Sequence, residues 1–79
     1  MSKGEMEKPH TKMVEIVLNG QTKPVPEGCS LQELLGFLEI DPSRVAIERN
    51  REIVRKNLWA ETMVAPGDQL EVVWFVGGG

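Results

Sequence analysis

The sequence predicts an α+β fold in which one helix packs on one mixed sheet of four to five strands. Two observations carry this prediction. Apolar residues alternate with polar ones near both ends of the chain, a period typical of half-buried strands. Between these segments, leucines recur at the spacing of one helix face. A chain of 79 residues has room for one such domain.

The first two strands are predicted to form a hairpin. Val14–Leu18 places its large apolar residues at alternate positions, which indicates a strand. Asn19-Gly20 follows, and this pair favours a two-residue turn in which both residues have positive φ. The return strand, Gln21 to Val25, contains Pro24, which cannot donate a hydrogen bond to a neighbouring strand. We therefore expect the return strand at an edge of the sheet.

The helix is predicted from its N-terminal signal and its apolar stripe. Ser30 and Glu33 have the spacing of a capping box, so Ser30 is the expected N-cap. Asp41-Pro42 is the expected end of the helix, because proline disfavours helical backbone in the residue before it. The stripe consists of Leu31, Leu34, Leu35 and Leu38.

Cys29, directly before the N-cap, allows two interpretations. It can pack against Leu34 as the hydrophobic staple that often closes a helix N-terminus. It can also be a reactive thiol near that terminus. We favour the staple.

The second half of the chain predicts another hairpin and a last strand. Short apolar segments at 45–47 and 53–54 flank a turn at Asn50-Arg51. One helical turn is expected from Leu58 to Glu61, and Pro66-Gly67-Asp68 indicates a turn. In the last strand, Leu70, Val72 and Trp74 should face one side, while Glu71, Val73 and Phe75 face the other. The tryptophans, Trp59 and Trp74, are expected in the core or at its rim.

Basic residues cluster around the second hairpin. Two interpretations remain open for them: an ordinary solvated face interleaved with acidic residues, or an edge at which a partner docks. The residues are Arg44, Arg49, Arg51, Arg55 and Lys56.

The element order is therefore strand, strand, helix, strand, short strand, strand, which is the order of the β-grasp plan. One helix covers only one face of a sheet, so the other face is left open. Val73 and Phe75, with Val17 across from them, are expected to form an exposed apolar patch on that open face. Together with Val76 they are the candidate partner-binding residues, because such patches often mark protein interfaces.

Composition excludes several classes of protein. The single cysteine allows neither an internal disulfide nor a cysteine-rich metal site, which fits a reducing cytoplasm. A formal net charge of −3 argues against nucleic acid as the main partner.

Residues 1–12 lack apolar periodicity, so we expect a disordered leader in which His10 has no partners. No Ser/His/Asp set or Cys/His pair is recognisable, so the chain is not expected to be an enzyme.

From Met13 onward the sequence resembles a known family. The "NG" of the first hairpin, "LQELL" of the helix, "AIERN" followed by "IV", and the final "PGDQLEVVWFVGGG" together resemble ThiS, the sulfur carrier protein of thiamine biosynthesis. The resemblance implies a ubiquitin-like β-grasp domain over 13–76 and a flexible glycine tail over 77–79. The chain departs from the usual pattern in its leader and in having a third glycine.

The resemblance also implies a function for the tail. In that family an E1-like adenylating enzyme uses MgATP to activate the C-terminal carboxylate, sulfur from a persulfide donor replaces AMP, and thiazole synthase takes the sulfur from the thiocarboxylate. Gly79 would carry the sulfur, with Gly78 and Gly77 as the tail, and the chain itself would bind no cofactor or metal. Glycine suits a narrow channel, since it lacks a Cβ and its backbone can approach other groups closely.

Three other functions stay open at this point. The small subunit of molybdopterin synthase shares the fold, the tail and the sulfur chemistry, but it serves a different product. A ubiquitin-like modifier would instead form an isopeptide bond with a substrate lysine. A plain interaction module would not use its glycines chemically.

Overall fold

The computed structural model describes residues 12–76. The predicted leader, apart from Lys12, and the predicted tail Gly77–Gly79 lie outside the described residues. Within the described part, five strands and one α-helix follow in the predicted order. The strands form a single mixed sheet, so the α+β prediction is confirmed.

The first hairpin is formed as predicted. Strand β1 spans Met13–Leu18 and strand β2 spans Gln21–Pro26, and the two pair in antiparallel register. Asn19 and Gly20 between them have φ of 50° and 82°, which is the backbone that a type I′ turn requires. Strand β2 lies at the edge of the sheet, as predicted. An edge strand tolerates Pro24, which has no backbone N–H to donate to a neighbouring strand.

Helix α1 spans Leu31–Phe37 and begins with the predicted capping box. The Glu33 backbone N–H donates to Ser30 Oγ at 3.0 Å, and the Ser30 N–H donates to Glu33 Oε1 at 2.9 Å. Two of the N–H groups that would otherwise lack partners at this end are thereby satisfied. Cys29 is half-buried and packs against the hydrophobic core, as the staple interpretation requires.

The predicted end of the helix at Asp41-Pro42 is wrong, because α1 already stops at Phe37. Glu39 adopts the left-handed conformation with φ of 60°. The Glu39 N–H then donates to the Gly36 carbonyl at 3.1 Å, and the Ile40 N–H donates to the Leu35 carbonyl at 2.9 Å. This pattern is a Schellman cap, which glycine normally provides, so a glutamate at that position gave no sequence signal.

The remaining strands complete the sheet. Strand β3 spans Val45–Arg49, β4 spans Glu52–Val54 and β5 spans Gln69–Trp74. The strand order is β2-β1-β5-β3-β4, with β1 and β5 parallel at the centre and the other pairs antiparallel. The turn at Asn50-Arg51 is confirmed, and both residues have positive φ.

Two short 3-10 helices connect these elements. The first spans Pro42–Arg44, directly before β3. The second spans Lys56–Leu58, two residues earlier than the predicted helical turn at Leu58–Glu61. It precedes Trp59, which is almost fully buried and donates its indole N–H to the Val54 carbonyl at 2.9 Å.

One hydrophobic core lies between α1 and one face of the sheet. Alternate residues of the strands enter it together with three leucines of the helix. Its buried members are Ile16, Leu18, Val25, Leu31, Leu34, Leu35, Val45, Ile47, Trp59, Val64, Leu70 and Val72. The opposite side of the sheet, which we call the outer face, carries the residues between them: Glu15, Val17, Ala46, Glu48, Ile53, Gln69, Glu71 and Val73.

Candidate functional site

The candidate site is the end of β5, where the sheet leads toward the glycines. The Phe75 N–H donates to the Arg44 carbonyl at 2.9 Å, which is one pair beyond the last residue of β5. This bond holds the exit of the chain against the 3-10 helix before β3. The direction in which the segment after Phe75 starts is therefore set by the sheet.

The residue that receives this bond is itself held in place. Asp41 caps the 3-10 helix by accepting from the Ser43 N–H at 2.9 Å and from Ser43 Oγ at 2.8 Å. The hydrogen bonds from Ser43, first that of the backbone and then that of the hydroxyl, lower the pKa of the Asp41 carboxyl. Arg44 Nε lies 3.4 Å from the Asp41 carboxylate. The exit of β5 thus rests on a locally ordered turn.

Apolar side chains are exposed along this exit. Val73 is 49% exposed, Phe75 59% and Val76 93%. Trp59 is inside the core, as the sequence predicts. Trp74 is 48% exposed and lies outside the set of described side chains that pack against the core, so the expectation of a core or rim position holds only for Trp59. A surface of this kind can contribute apolar area to a protein interface.

Val17 does not join these residues. It lies opposite Gln69 in the parallel β1–β5 pair, so the expectation that it lies across from Val73 and Phe75 is wrong. Val73 is four residues further along β5 than Gln69, which is about 13 Å at the rise of a strand. Strand β1 ends at Leu18 and turns into β2, so no residue of β1 reaches the level of Val73. The role of all four residues in partner binding stays a prediction.

Sequence reasoning missed the side chain that bonds to β5 beyond the end of β1. The amide of Asn19 accepts from the Val72 N–H at 2.8 Å and donates to the Val72 carbonyl at 3.2 Å. It thus continues the hydrogen bonding to β5 after the backbone of β1 has turned away. An Asn-Gly pair predicts the turn, but nothing in the local sequence indicates a bond to a residue 53 positions away.

A second missed group supports the start of β5. Asp68 is buried and accepts from Arg49 Nε at 2.9 Å and from the Ala65 N–H at 2.8 Å. Asn50 Oδ1 accepts from the Gln69 N–H at 3.0 Å. These bonds tie the β3–β4 turn to the first residue of β5.

The basic cluster is divided among several local contacts. Arg49 pairs with Asp68, Arg44 lies beside Asp41, and the Lys56 ammonium is 5.8 Å from the centre of the Trp59 ring. Three of the five predicted residues therefore have partners within the chain. This favours the solvated-face interpretation over a single docking edge.

The described part of the chain gives little support for thiol chemistry or for a metal site. Burial and the nearby Glu33 carboxylate raise the pKa of the Cys29 thiol, which disfavours the reactive thiolate. Residues 12–76 contain no group of three or more His, Cys, Asp or Glu side chains placed to hold a metal ion. Over the same residues, no helix is long and apolar enough to cross a membrane. His10 and the tail residues Gly77, Gly78 and Gly79 lie outside the described residues.

Comparison with known proteins agrees with this architecture. A family model described as the ThiS family matches residues 11–79. The sulfur carrier protein ThiS of Escherichia coli is 30% identical over 66 residues, which cover 84% of this chain and 100% of that protein. A crystal structure of ThiS from Geobacter metallireducens matches with a TM-score of 0.75 and 30% identity, over 84% of this chain and 100% of that one.

A longer relative contains a similar segment. A thiazole synthase of Paramagnetospirillum magneticum is 42% identical over 66 residues. These residues are 84% of this chain but only 20% of that protein, so the chain spans about a fifth of this relative's length. The family model, the full-length carrier and the solved structure all match the β-grasp domain described above. The chain belongs to the ThiS family of sulfur carrier proteins of thiamine biosynthesis.

Proposed function

We propose that the chain carries sulfur as a thiocarboxylate on Gly79 and donates it for formation of the thiazole ring of thiamine. The observation that carries this proposal is the exit of β5. An anchored backbone at Phe75, flanked by exposed apolar side chains, leads within two residues to Gly77-Gly78-Gly79. Membership of the ThiS family supports the same conclusion.

The chemistry explains why the reacting group needs a partner. A carboxylate is a poor electrophile, so an adenylating enzyme of the E1-like type would first join it to AMP, releasing pyrophosphate from MgATP. The terminal sulfur of a persulfide then attacks the acyl carbon and displaces AMP. Cleavage of the resulting acyl disulfide by a thiol leaves the thiocarboxylate and a new disulfide. The adenylate must be shielded from water, or it hydrolyses before sulfur arrives.

Glycine at all three tail positions fits this requirement. No Cβ widens the segment, and three residues span at most ~10 Å when extended. The folded domain would stay outside while the tail enters a narrow active site. The chain would act as a protein cosubstrate, and the partner would bind the MgATP.

Thiazole synthase is the proposed acceptor of the sulfur. The thiazole synthase of Paramagnetospirillum magneticum contains a segment 42% identical to this chain, which supports a functional pairing of the two proteins. The names of the matched relatives favour the thiazole route over the molybdopterin route and over isopeptide formation.

The test is intact-mass spectrometry of the full chain after incubation with the adenylating enzyme, ATP and a persulfide donor. We expect one terminal oxygen to be replaced by sulfur. The matched control is the chain without Gly79, in which the terminal carboxylate is withdrawn by about 3.3–3.6 Å. This chain should not be loaded with sulfur, because the reaction requires the carboxylate at a fixed position in the active site. Circular dichroism of both chains checks that the fold is unchanged. Equal sulfur loading of the shortened chain would contradict the proposal.

A further inference from the structure

The most C-terminal backbone hydrogen bond in the described part of the chain joins the Phe75 N–H to the Arg44 carbonyl, at 2.9 Å. Val76 and the three glycines follow it in the sequence. Four residues span at most about 14 Å when they are extended. Among the described residues, this bond is therefore the fixed point of the backbone that lies nearest in sequence to the terminal carboxylate.

The acceptor of this bond lies in a turn rather than in a strand. Arg44 is the last residue of the 3-10 helix Pro42–Arg44, and β3 begins at the next residue. Packing does little to hold this turn, because residues 41–44 are all exposed and the core begins again at Val45. Polar contacts within the turn must therefore set its conformation.

Asp41 takes part in these polar contacts through both its side chain and its backbone. Its carboxylate accepts from the Ser43 N–H at 2.9 Å and from Ser43 Oγ at 2.8 Å. Its carbonyl accepts from the Arg44 N–H at 3.1 Å, and its carboxylate lies 3.4 Å from Arg44 Nε. All four contacts go to the two residues that directly precede β3. Loss of the carboxylate would therefore act first on the position of the Arg44 carbonyl.

We propose that Asp41 is a positioning residue for sulfur loading: its carboxylate orders the turn, and the turn presents the Arg44 carbonyl that holds Phe75. The inference rests on the proposed function, in which the carboxylate of Gly79 must reach the active site of the adenylating enzyme. While the Phe75 bond is formed, the chain leaves the sheet at one fixed residue.

Opening of this bond would move the fixed point back to Trp74, the last residue of β5 that pairs with β3. The chain beyond the fixed point is then longer by one residue, which is about 3.3–3.6 Å. The terminal carboxylate would sample more positions, and only some of them would suit the reaction. A misplacement of ~1 Å can already slow a positioned reaction about a hundredfold.

Docking and loading should respond differently to the loss of Asp41. Docking depends on the surface that the two proteins bury, and Asp41 is not one of the apolar residues exposed at the exit of β5. The rate of loading depends in addition on where the carboxylate lies once the proteins have docked. The change should therefore lower the rate at saturating carrier more than it lowers the affinity.

The test is Asp41→Ala in the full chain, with loading by the adenylating enzyme, ATP and a persulfide donor followed over time by intact-mass spectrometry. We expect the rate at saturating carrier to fall at least about fivefold, while the Kd for the adenylating enzyme stays within about twofold of the parent. In the free carrier, hydrogen exchange should become faster at the Phe75 N–H. Exchange at the Leu34 N–H, which bonds to the Ser30 carbonyl in α1, should stay the same.

Two further variants separate positioning from stability and from direct contact with the partner. Asp41→Asn keeps a side-chain oxygen that can accept from the Ser43 N–H, so it should load within about twofold of the parent rate. Ser30→Ala removes the side-chain cap of α1, a different element. It should lower the thermal midpoint without slowing loading at a temperature at which the carrier is folded.

Four results would overturn the inference. They are loading of Asp41→Ala at the parent rate, unchanged exchange at the Phe75 N–H, equal slowing with Asp41→Asn, and equal slowing with Ser30→Ala. Slowing with Asp41→Asn would assign the effect to the charge of Asp41, and slowing with Ser30→Ala would assign it to stability. Absence of loading in the parent chain would instead count against the proposed function, so the two failures are distinguishable.

Discussion

At the scale of single residues, several residues other than glycine have a positive backbone φ angle. Asn19, Glu39, Asn50 and Arg51 all adopt it. Asparagine tolerates this backbone because its short side chain bonds locally, and here the amides of Asn19 and Asn50 also bond to β5. Glu39 has no such compensation among the hydrogen bonds of the described residues. Its conformation is imposed by the cap of α1.

We predict that Glu39→Gly stabilises the domain. Glycine removes the steric cost of the left-handed backbone, which is about 1–2 kcal/mol for other residues, and part of this gain is offset by the greater freedom of glycine in the unfolded chain. A net increase of up to about 1 kcal/mol in the free energy of unfolding is expected in urea denaturation. The control is Glu27→Gly, at a position without positive φ, which should reduce stability. A loss of stability in both variants would contradict the explanation.

At the scale of elements, the centre of the sheet depends on a short parallel pair. Strands β1 and β5 pair only at Val17–Gln69 and Leu18–Leu70. The amide of Asn19 extends this contact to Val72 and so substitutes for the next residue of a strand. Strand β5 is held on its other side by five pairs with β3. The Asn19 side chain therefore connects the first hairpin to the part of β5 that lies beyond Leu70.

We predict that Asn19→Gly loosens this link without opening the hairpin turn. Glycine keeps the positive φ but removes both hydrogen bonds, and the two together should cost about 1–3 kcal/mol of stability. Hydrogen exchange at the Val72 N–H should become faster than in the parent, while Ile16 in the β1–β2 ladder changes less. Equal acceleration at both sites would indicate general unfolding instead.

At the scale of the whole molecule, the two sides of the sheet differ in burial. One side is buried under α1 and holds the domain together. The outer face and the exit of β5 carry exposed apolar residues. Stability and docking are therefore expected to depend on different residues of the same strand, since successive side chains of β5 alternate between the two sides.

We predict that Phe75→Ser weakens docking to the partner enzymes by roughly 1–2 kcal/mol or more, with little change in thermal stability. Phe75 is exposed two positions before Gly77, so we expect it to contribute more to an interface than to the core. Phe37→Ser is the matched control, because Phe37 is 54% exposed but lies on helix α1. Calorimetric titration gives the affinity and thermal unfolding gives the stability. Equal losses of affinity and stability with Phe75→Ser would place Phe75 in the core.

The sequence by itself determined those features that depend on neighbouring residues. The Asn19-Gly20 turn, the Ser30–Glu33 capping box and the alternation of Leu70 and Val72 are local patterns, and all are present in the structure. The order of elements and the single helix gave the β-grasp plan, and the glycines after Val76 gave the candidate sulfur-carrying tail, which stays a prediction.

Only the tertiary structure decided which residues meet across the sheet. The early end of α1 depends on a cap at Glu39. A glutamate does not indicate a helix cap of this kind, because glycine is the usual residue there. Val17 lies beside Gln69 rather than Val73, because the offset between parallel strands is set by packing of the core and not by any local signal. The bond from Asn19 to Val72 arises for the same reason. Alternation along a strand fixes the face on which a residue lies, whereas the register between strands fixes its neighbours.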